Sequence, residues 1–184
     1  MHQPPAYDEL DCEQEWLDRP VSAIAAHISS VYHAFTRDRL PLVAHMASRL
    51  APGQESASGD MLPAFNALVS ELRDAVETHG MTEDDRVFPV LVALEYPNVL
   101  STSVTRAELA RLVEILGEEH LQIRRLILDL EALTDGFKTP PGASSEFDDV
   151  VMLLRELTLS LLEELDLEDR CLLPRARRLA GLRA

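Results

Sequence analysis

Apolar residues recur every three or four positions along four long stretches of the chain, and segments rich in helix breakers separate these stretches. This spacing predicts amphipathic helices, and no stretch shows the two-residue alternation of a strand. The clearest stripe, in the fourth stretch, consists of Phe147, Val150, Leu154, Leu157, Leu161, Glu164, Glu168 and Cys171. The pattern therefore predicts an all-α protein built from four helices.

Capping and breaking residues give the approximate ends of these helices. They are expected to cover, in turn, residues 20–50, 61–95, 105–134 and 145–181. The expected caps are Asp60 for the second helix, the capping box Thr105–Glu108 for the third, and Ser144 or Ser145 for the fourth. Pro41 and Pro89 are expected to bend the first and second helices. Helices of roughly 30 residues with short connections predict an up-down-up-down bundle.

Length and composition support one globular unit. At 184 residues and 46% apolar content, the chain can bury a single substantial core. Residues 1–17 are interpreted as an acidic N-terminal arm, and residues 18–184 are expected to form the helical bundle.

The charge balance excludes some classes of partner. With 32 acidic against 17 basic residues the net charge is -15, which disfavours nucleic acid and anionic membrane surfaces as partners. The N-terminus lacks a secretory-signal pattern, and no apolar run approaches the roughly 20 residues that span a bilayer. We therefore expect a cytoplasmic protein in which Cys12 and Cys171 are reduced thiols.

Ionisable residues interrupt the apolar stripes at matching places. His120 replaces one apolar residue on the third helix, while His79 with Glu83, and Glu164 with Glu168, extend the stripes of the second and fourth. The first helix has a weaker stripe that consists of Ala26, Ser30, His33, Arg37 and Leu40. These ionisable side chains are expected to point into the bundle.

The spacing of these residues indicates a duplicated helical hairpin. His33 precedes His79 by 46 residues, and His120 precedes Glu164 by 44. Each hairpin thus offers one histidine on its first helix and a His- or Glu-x-x-x-Glu pair on its second. The matching stretches on the second helices are "HGMTEDDRVFP" at 79–89 and "ELDLEDRCLLP" at 164–174.

Carboxylates in a dry core repel one another unless they are protonated or paired with positive charge. Arg37 and Arg86 can neutralise only part of such a cluster. Residues four apart on a helix face the same way, so each pair presents two donors to one side. Imidazoles and carboxylates suit first-row divalent ions, and two such ions would change the charge of three carboxylates to about +1. The candidate metal ligands are His33, His79, Glu83, His120, Glu164 and Glu168.

Structural roles compete with this interpretation at several positions. On periodicity alone, His33 suits a satisfied buried histidine as well as a metal ligand, and the hairpin symmetry favours the ligand. Glu164 and Glu168 lie in an acidic run typical of a solvated face, but their phase with the apolar stripe favours burial. His27 and His45 lie off the face of His33 and are expected to be structural or surface residues.

Four stretches taken together carry a family resemblance: "YHAFTRDRLP" at 32–41, "HGMTEDDRVFP" at 79–89, "EEHLQIRRL" at 118–126 and "ELDLEDRCLLPRA" at 164–176. Over roughly residues 20–178 the chain resembles the hemerythrin-like (HHE) domain of the iron-centre repair (RIC) family. The resemblance implies a hemerythrin-like four-helix bundle that holds two non-haem iron ions, oxo- or carboxylate-bridged, or another divalent metal. It implies His33, His79 and His120 as terminal ligands and Glu83 and Glu168 as bridging carboxylates.

The same resemblance implies a protein that binds or reacts with dioxygen or nitric oxide. Its partners would include damaged iron-sulfur proteins, in the repair of clusters under oxidative or nitrosative stress. Glu164 stands where the family has a histidine, which adds negative charge and lowers the expected redox potential. Gln54 stands at another family histidine, which implies an open or water-filled position on one iron.

Two further interpretations follow from the residues themselves. Asp84, Asp169 and Tyr32 are expected to orient the imidazoles, because metal-binding histidines usually donate their second ring N–H to a neighbouring acceptor. The alternative to a di-iron protein is a metal-free or mononuclear bundle that acts as an interaction or regulatory module. In a metal-free bundle the inward carboxylates would be protonated or paired with Arg37 and Arg86.

Overall fold

The computed structural model of the protein describes residues 15–50, 61–96 and 105–181. Its helices in chain order are α1 (Val21–His27), α2 (His33–Arg49), α3 (Leu62–Thr82), α4 (Phe88–Glu95), α5 (Arg106–Leu133), α6 (Ser145–Leu167) and α7 (Leu173–Ala180). Three π-helical turns join α1 to α2, α3 to α4 and α6 to α7; they are π1 (Ile28–Tyr32), π2 (Glu83–Val87) and π3 (Glu168–Leu172). The chain therefore forms four long helices. The first is α1 with α2, the second α3 with α4, the third α5 alone, and the fourth α6 with α7, each pair being continuous through its π-helical turn. The described ranges contain no strand.

The four long helices pack side by side as a bundle. Helix α2 contacts α3 and α6, and α5 contacts α3 and α7, so each long helix has two neighbours. The predicted all-α, up-down-up-down four-helix bundle is confirmed. Across the ranges given above, none of the helices has the length and apolar character needed to cross a membrane.

Two of the predicted caps are present. The hydroxyl of Thr105 accepts a hydrogen bond from the backbone N–H of Glu108, and the Glu108 carboxylate accepts one from the N–H of Thr105 at 2.8 Å. The hydroxyl of Ser144 accepts from the N–H of Phe147 at 3.2 Å. These contacts occupy amides that the first helical turn leaves without a backbone partner. Asp60, the third predicted cap, lies outside the described residues.

The described chain begins on the outside of the bundle. The ring of Trp16 lies 4.8 Å from that of His27, and Arg175 on α7 donates hydrogen bonds to the backbone carbonyls of Trp16, Leu17 and Arg19. The last residues of the predicted arm are thus held against the bundle. Residues 1–14, the rest of that arm, are outside the described residues.

The apolar core consists of two clusters. One contains Leu40, Val76, Ile123 and Leu161 among its buried residues, and the other contains Ile28, Val87, Leu116 and Cys171. On each long helix the predicted ionisable residues fall between the residues of these two clusters. The fold therefore places a polar layer between two dry apolar regions.

The stripe predicted for the first long helix is wrong in part. His33 and Leu40 are buried, but Ala26, Ser30 and Arg37 are exposed. The face that is buried instead includes Val21, Ile24, Ile28, His33, Thr36 and Leu40. The step from Ile28 to His33 is five residues because π1 adds one residue to the turn, which changes the phase of the helix face.

The π-helical turns lie directly beside the candidate ligands. Glu83 begins π2, Glu168 begins π3, and His33 is the residue after π1. Pro89 and Pro174 follow π2 and π3 in the first turn of the next α-helix, where a missing N–H costs little. The change of helix type thus comes just ahead of Pro89, while Pro41 lies inside α2, which continues to Arg49.

Deletion of Val31 tests the role of π1. Val31 is 47% exposed, so its side chain contributes little to the core. Removing one residue would convert the turn to α-helix and rotate α1 by about 100° relative to α2, which moves Ile24 and Ile28 out of the core. We expect the free energy of unfolding to fall by about 3 kcal/mol or more. Val31→Ala is the control and should change it by less than about 1 kcal/mol in urea denaturation.

Candidate metal centre

All six predicted ligands lie in the polar layer. His33 is 5% exposed, His79, His120 and Glu164 are each 2% exposed, and Glu83 and Glu168 are fully buried. Each comes from the helix on which the sequence placed it. The carboxylates therefore lie inside the bundle, and the solvated-face interpretation of Glu164 and Glu168 is excluded.

Their donor atoms form one continuous cluster. His33 Nε2 lies 3.1 Å from both Glu83 Oε2 and Glu164 Oε1. His79 Nε2 lies 3.3 Å from Glu83 Oε2 and 3.5 Å from Glu168 Oε2. His120 Nε2 lies 2.8 Å from Glu168 Oε2. The three imidazoles thus alternate with the three carboxylates across the centre of the bundle.

Two overlapping subsets of this cluster have the spacing needed to hold a cation. Donor atoms of His79, His120 and Glu168 lie within 4.8 Å of one another, and so do those of His79, Glu83, Glu164 and Glu168. His79 and Glu168 belong to both subsets. His33 stands beside the second subset, at 3.1 Å from the oxygens of Glu83 and Glu164. Shared donors of this kind suit two neighbouring ions rather than two separate sites.

The outer nitrogen of each imidazole faces a carboxylate. His33 Nδ1 lies 3.0 Å from Asp84 Oδ2, and His120 Nδ1 lies 2.7 Å from Asp169 Oδ1. These are the contacts predicted for Asp84 and Asp169. A carboxylate holds the proton on Nδ1 and leaves the Nε2 lone pair pointing inward, which is the arrangement a metal-binding histidine needs.

His79 is held by a carboxylate that was not predicted from the sequence. Its Nδ1 lies 3.2 Å from Glu119 Oε2, and the hydroxyl of Thr82 donates to the other oxygen of Glu119 at 3.2 Å. Glu119 directly precedes His120, so a single helix turn serves two imidazoles. Its position gave no periodic signal, because it lies off the apolar stripe of α5.

Arginines complete a repeated arrangement in the two hairpins. Arg37 donates to Asp84 at 3.2 Å, and Arg124 donates to Asp169 at 3.1 Å. Each arginine lies four residues after the anchored histidine, as H-x-x-x-R. This repeat was present in the sequence beside the repeated Glu-Asp pair and would have identified the two arginines as partners of the aspartates.

Several donor atoms of the cluster have no hydrogen-bond partner within the described ranges, which suits a bound cation. Several inward atoms are buried without an acceptable hydrogen-bond partner among the described residues: His79 Nε2, His120 Nε2, Glu83 Oε1, Glu164 Oε2, and both carboxylate oxygens of Glu168. The 2.8 Å contact between His120 Nε2 and Glu168 Oε2 is therefore a close approach without hydrogen-bond geometry. Unsatisfied buried polar atoms are costly, so their concentration here favours a bound ion.

The imidazoles carry positive charge when no ion compensates the carboxylates. Burial lowers the pKa of His33, but contacts with Glu164 and Glu83 outweigh it and raise the pKa to about 10. Burial likewise lowers the pKa of His120, yet Asp169 and Glu168 raise it to about 9. In the ion-free protein, protons on these rings do part of what metal ions would do.

The buried carboxyl groups respond differently to the same environment. Burial, together with repulsion from Glu168, raises the pKa of Glu83 to about 8. Burial also raises the pKa of Glu164. For Glu168 burial acts in the same direction, but His120 and His79 outweigh it and hold the pKa at about 2. Glu168 is therefore the carboxylate that remains ionised against two imidazoles.

For a metal-free bundle we expected inward carboxylates that are protonated or paired with Arg37 and Arg86, and the pairing with arginine is wrong. Arg37 pairs with Asp84 rather than with an inward glutamate, and Arg86 is exposed. Over the described part of the chain, the positive partners of Glu83, Glu164 and Glu168 are histidines.

The remaining candidates take structural positions. His27 packs between Trp16 and Tyr32, and His45 is exposed, as expected for residues off the ligand face. Tyr32 lies edge-on to His27 with ring centroids 5.5 Å apart. Cys171 is 5% exposed within the second apolar cluster. Cys12 and Gln54 lie outside the described residues.

Comparison with known proteins connects this geometry to a family. The sequence model of the hemerythrin HHE cation binding domain matches residues 24–176. The iron-sulfur cluster repair protein YtfE of Edwardsiella ictaluri is 27% identical over 169 residues, which are 90% of this chain and 70% of that protein. The protein of the same name from Escherichia coli O157:H7 is 24% identical over 174 residues, 94% of this chain and 73% of that protein.

Asp169→Asn tests the anchoring of His120. An amide cannot hold the Nδ1 proton as a carboxylate does, so the ring loses its fixed tautomer and some basicity at Nε2. We expect the affinity for Fe(II) or Zn(II) to fall by about 10- to 100-fold, measured by competition with a chromophoric chelator. Asp166→Asn is the matched control: Asp166 contacts Arg124 at 2.7 Å but is not the partner of His120. Equal losses in both variants would mean that general surface charge sets the affinity.

Proposed function

The chain belongs to the hemerythrin HHE cation-binding family, and from that membership we propose that its buried cluster holds two non-haem iron ions. His33, His79 and His120 would bind through Nε2, and Glu83, Glu164 and Glu168 through their carboxylate oxygens. The observation that supports this most is that three inward Nε2 atoms have their opposite nitrogens anchored on carboxylates. A histidine packed for structural reasons alone does not require that orientation.

Charge supports the number of ions. Three carboxylates buried together carry a charge of about -3, and two divalent ions change this to about +1, which costs much less to bury. The mixture of imidazole and carboxylate donors suits iron and its neighbours in the first transition row rather than calcium. Two ions would also use the unsatisfied oxygens of Glu83, Glu164 and Glu168.

We propose that the loaded protein binds or reacts with dioxygen or nitric oxide. Iron would supply the coordination position and the electrons for such a molecule. The chain itself holds the donors in place, and the apolar clusters on both sides of the polar layer keep bulk water away. Glu164 adds an anionic donor beside His33, which would favour the more highly charged, oxidised ions.

The cellular role follows from the relatives. Two of them are named iron-sulfur cluster repair proteins, and the similarity covers 90% or more of this chain. We therefore propose that the protein acts on damaged iron-sulfur proteins in the cytoplasm, during oxidative or nitrosative stress. Residues 18–184 would form the working bundle, with residues 1–17 as an arm.

A second candidate function is a metal-free or mononuclear bundle that acts as an interaction or regulatory module. The observation in its favour is that His33 contacts Glu83 and Glu164 directly, so imidazolium can compensate part of the buried charge. Metal content separates the two functions. The di-iron proposal needs two ions per chain, whereas the alternative needs one or none.

We expect protein reconstituted anaerobically with Fe(II) to contain about two irons per chain by plasma mass spectrometry. Glu83→Ala and Glu168→Ala should each lower that number below two, because each removes donors that lie between imidazoles. Circular dichroism would establish that the variants remain helical.

Glu163→Ala is the matched control, because Glu163 is exposed and directly precedes Glu164. It should retain the wild-type iron content. An unchanged iron content in Glu83→Ala or Glu168→Ala would remove that residue from the centre. A wild-type protein that binds no iron after reconstitution would favour the metal-free module.

A further inference from the structure

A cavity of about 340 Å³ lies between α2 and α3 and ends at the candidate metal centre. Its inner end is formed by His33, His79 and Glu164. Leu40 and Val76, both buried, form part of its wall. The cavity thus connects the surface with one side of the donor cluster through a largely apolar passage.

The mouth of the cavity is acidic. Glu77 and Asp85 are exposed there, and Asp84 is paired with Arg37. Glu77 interacts with Arg73, which lies outside the cavity and is itself paired with Asp74 at 2.8 Å. Among the cavity residues, the one arginine is paired with Asp84, so Glu77 and Asp85 keep most of their negative charge. A chain with net charge -15 adds to the same potential. A negative potential at an entrance lowers the local concentration of anions and leaves uncharged molecules unaffected.

We propose that this cavity is the route by which small uncharged molecules reach the metal centre, and that Glu77 and Asp85 at its mouth select against anions. The inference rests on the proposed function, since it assumes that iron occupies the centre. It goes further by naming the side of the centre that is accessible and the residues that set its selectivity.

Gly80 offers a way to close the route. It lines the cavity, and a Cβ added there would meet no atom within 4 Å, so a side chain can start at this position without a clash at its first atom. Gly117 on α5 is a matched control because it is also helical and also faces open space. It does not line the cavity. Either substitution should be neutral or mildly stabilising for the helix.

The first experiment measures nitric oxide binding to the Fe(II)-loaded protein by stopped-flow absorption. Gly80→Leu should lower the association rate constant by about tenfold, because a leucine would occupy much of a passage of this size. Gly117→Leu should leave it unchanged. Equal rates in the wild type and Gly80→Leu would overturn the route.

The second experiment removes the acidic mouth with Glu77→Gln combined with Asp85→Asn. At low salt the association rate constant of azide with the oxidised iron protein should rise about threefold, and the difference should disappear at about 1 M salt. Nitric oxide binding to the reduced protein should not change. Glu71→Gln, at an exposed position of α3 outside the cavity, is the control. An equal effect of the double variant on azide and nitric oxide would exclude selection by charge.

Iron content, measured for every variant, separates the two levels of the hypothesis. A wild-type protein that holds no iron, or holds iron but takes up no nitric oxide, contradicts the proposed function and the route with it. Two irons and normal nitric oxide uptake, combined with no effect of Gly80→Leu, contradict the route alone.

Discussion

Three carboxylates buried side by side are the constraint on which the centre of this bundle depends. Glu83, Glu164 and Glu168 are at most 2% exposed, and an uncompensated cluster of this kind would be too costly to fold. Their nearest positive groups are imidazoles, whose outer nitrogens contact carboxylates nearer the surface. Around His33 and His120 charge therefore alternates outward from the centre, from glutamate to histidine to aspartate to arginine.

The same constraint explains the π-helical turns. In an unbroken α-helix Ile28 would lie about 140° around the axis from His33 and about 120° from Leu40, so one additional residue in π1 is needed to bring all three to the same side. Glu83 and Glu168 begin the two other π turns. Each such turn weakens regular hydrogen bonding, and such turns occur frequently at functional sites. Here they position donor atoms while keeping the apolar faces in the core.

The two helical hairpins differ at the centre itself. His79 and Glu164 occupy equivalent places, so one half offers an imidazole where the other offers a carboxylate. The cavity reaches His33, His79 and Glu164, whereas His120 and Glu168 are not among its lining residues. Access to the proposed di-iron centre is therefore one-sided: the end with His33 and Glu164 is open, and the end with His120 and Glu168 is enclosed.

By itself the sequence determined the helices, the capping box at Thr105, the buried faces of the second, third and fourth helices, and the six converging donors, because all of these follow from local spacing along one helix. Tertiary structure alone decided the π turns, the anchoring of His79 by Glu119, and the cavity beside Thr36. A 3.6-residue period assumes a constant turn, so an added residue at π1 made the stripe predicted for the first helix fail. Contacts and cavities between helices depend on their rotation and offset, which packing fixes and periodicity does not contain.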